Sequence, residues 1–399
     1  MSFKTIRYSE IGKIRSGKRL PKGFLVTEKE TKNRYIRVRD IQEGEIKVNE
    51  VQYISDEAAS KISKYIVNTG DIIISVVGTV GSIASIPDEL DNAYLTENCN
   101  NLLVDENKCE KKYLKYFLLS KKGQNEIASN TVGSTQPKLP IYGINNFNID
   151  LPDLKTQRRI VHILSVLDNK VLINNKTCEN LEAQMSAIFK NWFIDFEPFK
   201  NDEFIKTDLG MIPNGWSIVS LGEAFVFRRG TALTKNEVST TKDNDYPFVV
   251  YGAGKDIFGY SKDYTLDVPS VLIAAIGAGA GTVSRSYERQ YSVTSNAFYV
   301  LPRNELDYAY EIFTLRNYNF KDRCSGSAQP MLSYSSFADD RIVFPNRNAI
   351  KRFHDVCKPM IESINQLMEQ NYALISIRNA ILPKLMSGEI NMDGVSNGQ

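Results

Sequence analysis

The sequence is poor in cysteine and histidine, and it has no long apolar run. Its five cysteines are odd in number and lie far apart among 399 residues, with no Cys-x-x-Cys pair. This pattern excludes a disulfide framework and a zinc knuckle. No apolar run approaches the roughly 18 residues that cross a bilayer, and residues 1–10 lack the apolar segment of a secretory signal. We therefore expect reduced thiols and a cytoplasmic location.

Signatures of catalysis are also missing from the sequence. Residues 12–18 resemble a phosphate-binding loop, but Arg19 follows where the magnesium-binding Ser or Thr is required. The glycine-rich segment 277–281 is not followed by a helix, so a hairpin, or a close approach of the backbone to a ligand, is favoured over a dinucleotide site. The two histidines, His162 and His354, lie in helical segments without a set of metal ligands. We expect no catalytic residue, no metal site and no cofactor on this chain, with an unrecognised enzyme site as one alternative.

Composition and length are those of an ordinary globular protein. Hydrophobic residues make up 42% and charged residues 24%, and a chain of this length predicts two or three domains. The net charge is only +2, but residues 1–40 carry 12 Lys and Arg against 4 Asp and Glu. Residues 41–110 carry 4 against 13, and residues 111–139 carry 6 against 1. Basic segments that meet in the fold would form a face for phosphate groups; otherwise they are solvated surface.

The most informative feature of the sequence is an internal duplication. The segment Gly-Ser-Thr-Gln-Pro-Lys-Leu at 133–139 recurs as Gly-Ser-Ala-Gln-Pro-Met-Leu at 326–332, an offset of 193. A period of this length is too long for a solenoid, so it indicates a tandem pair of whole units, each with a globular part and a helical part. Weaker matches support the repeat upstream, where 14–18 parallels 227–231 and Thr96-x-Asn98 parallels Thr294-x-Asn296.

The globular parts are predicted to have a mixed α/β (α+β) fold. Strand-like runs at 71–77, 270–276 and 296–301 alternate with Gly, Pro and Asn. The apolar spacing of 111–127 predicts one short amphipathic helix, and 308–317 occupies the equivalent place in the second half.

The helical parts are predicted to be two long coiled-coil helices. Residues 156–193 contain no Pro or Gly, and apolar residues recur there every three or four positions. A second such segment covers 353–385 and contains Pro359, which should kink or loosen its first turns. We expect the helices to pack antiparallel against each other, although each could instead pack on its own globular part. The predicted core of the pair comprises Ile160, Leu167, Val171, Asn174, Leu181, Ile188, Met360, Ile364, Leu367, Asn371, Leu374 and Ile381.

Each predicted helix carries one amide in its apolar seam, Asn174 in the first and Asn371 in the second. In an antiparallel pair related by the offset of 193, these two positions are equidistant from the centre. We therefore expect the two side chains to face each other and to fix the register of the helices. The alternative is that both amides point to solvent.

Several motifs in order resemble those of a known family. Leu-Pro-Asp-Leu at 151–154 precedes Gln-Arg-Arg at 157–159, which opens the first long helix. A linker with Ile-Pro-Asn-Gly-Trp at 212–216 follows, and each globular part closes with a Gly-Ser-x-Gln loop. Over essentially the whole chain, this order resembles the specificity subunit of a Type I restriction–modification system. The second helix opening, at 345–350, departs from the pattern because it lacks the Gln-Arg-Arg run.

The resemblance implies the domain organisation and the partners. It implies target-recognition domains at 1–152 and 211–345 that read the two halves of a bipartite, asymmetric DNA sequence. Helical regions at 153–210 and 346–399, with long helices at about 156–193 and 349–386, would bind two methyltransferase (modification) subunits that carry S-adenosylmethionine. Restriction subunits that use ATP and Mg²⁺ would complete the complex. The alternative is a stand-alone DNA-binding or architectural protein without enzymatic partners.

Candidate DNA-binding residues follow from the basic segments and from the repeated loops. The loop residues Gln136 and Gln329 suit the edge of adenine, although these loops could simply be structural turns. Candidates for phosphate contact in the two halves are Lys13, Arg15, Lys18, Arg19, Lys22, Arg228, Arg229 and Lys235. Lys138, in the first of the repeated loops, is a further candidate for DNA binding.

Overall fold

Two long helices and two sets of small sheets make up the structure, a computed structural model that describes residues 3–42, 44–234, 236–240, 242–253, 257–287, 290–301 and 308–390. The chain divides into two units. Unit 1 comprises Met1–Val171 with Tyr372–Gln399, and unit 2 comprises Leu172–Asn371. The divisions fall inside both long helices, so each unit contains a part of each helix.

Unit 1 contains two four-stranded sheets and two small strand pairs. The first sheet is antiparallel throughout, in the order Gly12–Ser16, Cys99–Val104, Ile72–Ser75 and Ile83–Ser85. The second sheet includes one parallel pair, Arg34–Ile36 with Ala93–Leu95, flanked by Gln52–Tyr53 and Ile66–Val67. The strand pairs are Lys4–Arg7 with Asn148–Leu151 and Ile41–Gln42 with Glu45–Ile46.

The short helices of unit 1 correct one expectation. The single helix predicted at 111–127 is two helices, Lys111–Leu119 and Lys121–Asn130. The chain breaks at Ser120, whose backbone is extended and whose hydroxyl accepts a hydrogen bond from the Gly123 amide, which caps the second helix. The other helical segments are Tyr8–Ile11, Asp56–Lys61 and Ile141–Asn145, with 3₁₀ turns at Val38–Asp40, Val48–Glu50 and Asp88–Leu90.

Unit 2 repeats this topology with one strand fewer in its second sheet. Its antiparallel sheet has the order Val226–Arg229, Ala297–Leu301, Val271–Ala274 and Val283–Arg285. Its second sheet pairs Phe248–Tyr251 in parallel with Tyr291–Val293 and antiparallel with Ile257–Ser261. The strand pairs are Ser217–Ser220 with Arg341–Phe344, and the hairpin Phe204–Thr207 with Gly210–Pro213.

The helical segments of unit 2 include the predicted helix at Tyr308–Asn317, which is confirmed. The glycine-rich hairpin expected at 277–281 is also confirmed, since it joins two antiparallel strands, Val271–Ala274 and Val283–Arg285. The remaining segments are a helix at Leu221–Ala224, a π-helical turn at Lys190–Ile194, and 3₁₀ turns at Glu197–Phe199, Phe320–Arg323 and Tyr334–Ser336.

The long helices lie at Leu154–Phe189 and Arg347–Ser387. Both have an N-cap: Asp153 accepts a hydrogen bond from the Thr156 amide, and Asn346 accepts one from the Ala349 amide, each at 2.9 Å. At the offset of 193, the cap Asn346 corresponds to the cap Asp153, so the second helix keeps the N-cap although it lacks the Gln-Arg-Arg run. The second helix continues through Pro359 without a break. None of the helices among the described residues combines the length and the apolar character that crossing a bilayer requires.

The helices pack on each other and also on the globular parts, so the expected antiparallel pair is confirmed and the alternative of two separate helices is wrong. In unit 1, Ile160 and Leu164 belong to one core with Leu385 and with residues of the sheet and short helices. In unit 2, Met185 and Phe189 share a core with Phe353. The first turns of one helix thus lie against the last turns of the other, which is an antiparallel arrangement in each unit.

The buried face of the helices differs in part from the predicted seam. Ile160, Asn174, Ile364 and Asn371 are buried, as expected. Leu181, Ile188, Met360, Leu367 and Ile381 are only partly buried but pack against a core. Leu167, Val171 and Leu374 are half-exposed and belong to neither main core, whereas Leu164, which the seam did not include, is fully buried. The buried face of each helix differs from the predicted seam because the helix packs on a globular part as well as on the partner helix.

The two seam amides meet, as the sequence predicts. Asn174 Nδ2 donates to Asn371 Oδ1 at 2.8 Å, and both side chains are almost completely buried. Asn174 Nδ2 also lies 2.8 Å from Gln370 Oε1, and Asn371 Nδ2 donates to Asn175 Oδ1 at 2.8 Å. The prediction that the amides face each other is confirmed, and the alternative that they point to solvent is wrong.

Candidate nucleic-acid interface

Residues 17–22, hereafter the basic segment of unit 1, follow the strand Gly12–Ser16 and lie beside a tight turn at one end of the antiparallel sheet. After the strand Gly12–Ser16, the Gly17 amide donates to Cys99 O at 3.0 Å and the Lys18 amide donates to Leu95 O at 2.8 Å. These two bonds hold the basic segment against the turn at 96–98, which connects the two sheets.

A glycine is required where this segment crosses the turn. A Cβ on Gly17 would lie 2.0 Å from Thr96 O, and in unit 2 a Cβ on Gly230 would lie 2.2 Å from Thr294 O. No side chain fits against a carbonyl oxygen at such distances, so both copies have glycine at this crossing. The match between 14–18 and 227–231 that the sequence shows therefore has a steric cause.

The loop at 133–138, hereafter the first Gln loop, lies at the same end of the sheet. Lys138 pairs with both Val132 and Val77, and the Leu139 amide donates to Val76 O at 2.9 Å. The Val76 amide in turn donates to Asn98 O at 2.8 Å. The turn at 96–98, the end of the strand and the first Gln loop are thus joined by consecutive backbone hydrogen bonds.

Unit 2 builds the same sheet end from its own residues. The Gly230 amide donates to Ala297 O at 3.1 Å, and the Thr231 amide donates to Val293 O at 2.9 Å. The loop at 326–331, hereafter the second Gln loop, is attached through the Leu332 amide, which donates to Ala275 O at 2.8 Å. The Ala275 amide completes the series by donating to Asn296 O at 2.8 Å.

Most of the predicted phosphate-binding cations are exposed around these sheet ends. Lys13 and Arg15 alternate with Ile14 on the edge strand Gly12–Ser16, so both point away from the core. Arg15 is next to Ser16 at this sheet end, whereas Lys13 pairs with Leu103 toward the other end of the strand. Lys18 lies over the ring of Tyr65, with Nζ 5.7 Å from its centroid. The other candidates that the structure describes, all exposed, are Arg19, Lys22, Gln136, Lys138, Arg228, Arg229 and Gln329, whereas Lys235 lies outside the described residues.

Two of the predicted cations are engaged by the protein itself. Arg19 Nε lies 2.5 Å from Glu97 Oε1, and this hydrogen bond raises the pKa of Arg19. Burial of Glu97 opposes its ionisation, but the hydrogen bonds from Arg19 and its other donors outweigh burial and lower the pKa of Glu97. Arg229 Nε donates to Ser295 O at 2.5 Å, its guanidinium stacks 4.7 Å from the Phe298 centroid, and burial lowers its pKa. The sequence shows the charge of these residues but not their partners.

An open pocket beside the basic segment was not predicted from the sequence. It has a volume of about 400 Å³, and Arg39 contributes an exposed guanidinium to its wall. Arg37, which also lines it, is occupied by the fully buried Asp40 and by Gln52. The full lining comprises Arg19, Leu20, Tyr35, Arg37, Val38, Arg39, Thr96, Glu97 and Asn98. The basic count of residues 1–40 was a signal, but only the fold brings Arg39 to the turn at 96–98.

The described residues contain no group of three or more His, Cys, Asp or Glu side chains that could hold a metal ion. The described side chains that are exposed at each sheet end include cations and the neutral hydrogen-bonding groups of the Gln loops. Such a set of groups can bind phosphates and base edges.

Comparison with known proteins gives matches over most of the chain. A family model described as the Type I restriction modification DNA specificity domain matches residues 2–183 and residues 213–376. The MjaIX specificity subunit of a Type I restriction enzyme from Methanocaldococcus jannaschii is 26% identical over 359 residues, which cover 85% of this chain and 82% of that protein. The HindI specificity subunit of a Type I restriction enzyme from Haemophilus influenzae is 20% identical over 407 residues, which cover 82% and 88%.

A solved structure shares the fold. The S subunit of a Type I restriction–modification system from M. genitalium aligns over 96% of both chains, with a TM-score of 0.50 and 18% identity. The mixed α/β fold with an internal repeat and long helices, predicted from the sequence, is confirmed. Because the family model matches most of the chain in two successive segments, the protein belongs to the family of Type I restriction–modification DNA specificity domains.

Proposed function

We propose that this chain is the DNA specificity subunit of a Type I restriction–modification complex and has no catalytic site of its own. Each globular part reads one half of a bipartite, asymmetric target, and the long helices bind two methyltransferase subunits, on which S-adenosylmethionine is bound. Restriction subunits, which use ATP and Mg²⁺, join the same complex.

The observation that carries this proposal is one topology built twice around different intervening segments. Between Gly17 and Thr96 the chain advances 79 residues, whereas between Gly230 and Thr294 it advances 64. The sheet ends and their backbone hydrogen bonds are nevertheless the same in both units. A common frame that carries two different surfaces suits two different half-sites, because the frame sets the approach to DNA and the variable segments select bases.

The exposed apolar residues of the helices support the binding of protein subunits. Helical side chains that pack on the globular parts are buried, yet several large apolar residues face outward. Exposed apolar groups on a long helix are typical of protein–protein interfaces. They are Val166 and Ile377 in unit 1, and Leu172, Ile173 and Val356 in unit 2.

Mapping methylated bases in the source genome, before and after deletion of this gene, tests the proposal. We expect one bipartite methylation motif to disappear. Exchange of residues 221–344 for the second globular part of another specificity subunit should then change only one half of that motif. An unchanged methylation pattern, together with DNA binding by the purified chain alone, would contradict the proposal and favour a stand-alone DNA-binding protein.

A further inference from the structure

The two Gln loops are exposed, yet they share sequence and conformation. Gly133 and Gly326 both have a φ of +90°, and both loops are closed by a matching pair of backbone hydrogen bonds. Every residue from 133 to 138 is exposed, as are residues 326–329 and 331. The loops are therefore closed by backbone hydrogen bonds, and their side chains are exposed.

The fold explains only some of the residues that the two loops share. A positive φ requires the glycines, and Leu139 and Leu332 are buried beneath the loops. The side chains of Ser134 and Gln136, like those of Ser327 and Gln329, donate and accept no hydrogen bond among the described residues. Other exposed positions of the loops are not shared, since Thr135 corresponds to Ala328 and Lys138 to Met331.

The shared serine and glutamine thus point to an external contact that is the same in both units. The two half-sites of an asymmetric target differ in their bases, so a base-reading contact would differ between the loops. The sugar–phosphate backbone is the same at both half-sites. The loops also lie at the sheet ends that carry Lys18 and Arg228, on the side of each globular part where cations gather. Because the cation Lys138 is not shared, the common contact is made by neutral groups.

We propose that each Gln loop binds the sugar–phosphate backbone of DNA through its serine and glutamine side chains, once per half-site and without selecting bases. The inference rests on the proposed function, because it takes double-stranded DNA as the ligand of both units. The loops then fix the distance of each globular part from the duplex. The segments between Gly17 and Thr96 and between Gly230 and Thr294 read the base sequence from that position.

The test measures DNA affinity of the full chain in complex with its methyltransferase subunits. Gln136→Ala and Gln329→Ala should each weaken binding by roughly 3- to 10-fold, since each removes about one neutral hydrogen bond. The two losses should be similar, should multiply in the double variant, and should be equal on specific and non-specific DNA. The salt dependence should not change, because a neutral group releases no counterion.

Two further sets of variants control for folding and for charge. Thr135→Ala gives the first loop the residue of the second, at a position the loops do not share, and should leave affinity unchanged. Gln136→Glu and Gln329→Glu add a charge that phosphate repels, so they should weaken binding more than the alanine variants. Thermal unfolding of each variant should match that of the parent chain, because all these side chains are exposed.

Each remaining outcome overturns the inference in a different way. A loss confined to targets with one particular base in one half-site means that the loop reads bases. A loss of methyltransferase subunits, with unchanged DNA affinity of the complexes that do form, means that the loop binds protein. Unchanged affinity in all variants means that the loop is only a turn. Failure of the parent complex itself to recognise a bipartite target would instead refute the proposed function.

Discussion

The two units have one topology but differently composed cores. The main core of unit 1 is mostly aliphatic, with three tyrosines and two phenylalanines, whereas unit 2 is built around a cluster of rings. Phe353 lies at the centre of that cluster, with ring centroids 5.1 Å from Phe193 and 5.9 Å from Phe189. At the offset of 193, its counterpart in unit 1 is Ile160, and both residues are completely buried. The repeat therefore preserves the position and the burial of a side chain but not its chemical type.

The polar connection between each globular part and the first long helix also differs in kind. In unit 2, Glu182 pairs with the buried Arg285 at 3.2 Å and with Arg316 at 3.0 Å. In unit 1, Asp168 accepts a hydrogen bond from the Tyr116 hydroxyl of the globular part at 2.7 Å, and it also pairs with Arg378 of the second long helix at 3.0 Å. A carboxylate on the helix is common to both units, while its partners are not. Backbone hydrogen bonds and steric limits thus define the shared frame, and side chains adapt to it.

Truncation of the two equivalent core residues should give the largest loss of stability. It should also show whether the two units unfold independently. Phe353→Ala is expected to destabilise unit 2 by about 3–5 kcal/mol, and Ile160→Ala to destabilise unit 1 by about 2–5 kcal/mol. Burial raises the pKa of the Cys109 thiol in unit 1 and of the Cys178 thiol in unit 2, so both resist alkylation until their unit opens. Mass spectrometry of alkylated Cys178 and Cys109 should show that Phe353→Ala opens unit 2 first. Equal acceleration at both thiols would mean that the units unfold as one.

Neutralising the cations at the two sheet ends should affect DNA binding unequally. Replacement of Arg15, Lys18 and Lys22 by Ala should flatten the slope of log affinity against log salt by about 0.9 per phosphate contact, a loss of roughly 500-fold at 0.1 M salt. Arg228→Ala with Arg229→Ala should cost less, because Arg229 is engaged by Ser295 and Phe298.

The control for this experiment is Lys112→Ala. Its neighbour Lys111 pairs with Asp71, which precedes the strand Ile72–Ser75 and so lies at the opposite end of the sheet. We expect no change in affinity for Lys112→Ala. A loss equal to that of the three-residue variant would show that the cations act through net charge and not through position.

Alanine at the two crossing glycines should destabilise both units alike. Gly17→Ala and Gly230→Ala each place a Cβ against a backbone carbonyl, which is expected to cost about 1–3 kcal/mol. Gly279→Ala is the matched control, because its Cβ would meet Ala253 O at an ordinary 3.4 Å. Urea unfolding of the three variants measures the costs. If Gly17→Ala and Gly230→Ala differ widely, the two crossings do not have the same steric role.

Replacement of one seam amide should have the smallest effect. Asn174→Ala removes the bond to Asn371 but leaves Asn371 its bond to Asn175, so we expect a loss of about 1 kcal/mol. The double change Asn174→Leu with Asn371→Leu leaves no buried amide unpaired and should cost less than the single change, with a looser register. Thermal unfolding gives the stability, and disulfide trapping between cysteines introduced on the two helices reports the register. A fixed register in the double variant would show that the amides do not specify it.

Much of the architecture could be predicted because it depends on local pattern. The three- and four-residue spacing of apolar side chains determines a long helix, and the offset of 193 determines that the helix and its globular part occur twice. The pairing of Asn174 with Asn371 followed from symmetry alone. The Gln loops could be recognised because glycine and proline at fixed offsets restrict the backbone in the same way at both places.

Other features were decided only by contacts between residues distant in the sequence. The break at Ser120 is a local exception, because it depends on a hydrogen bond between Ser120 and Gly123 that apolar spacing does not reveal. The burial of Leu164 instead of Leu167 follows from packing of the helix on its globular part, which a seam calculated for two helices omits. Arg19 is paired because Glu97, 78 residues away, is brought beside it. Sequence periodicity reports which face of an element is apolar, whereas tertiary structure decides what covers that face and which charges find a partner.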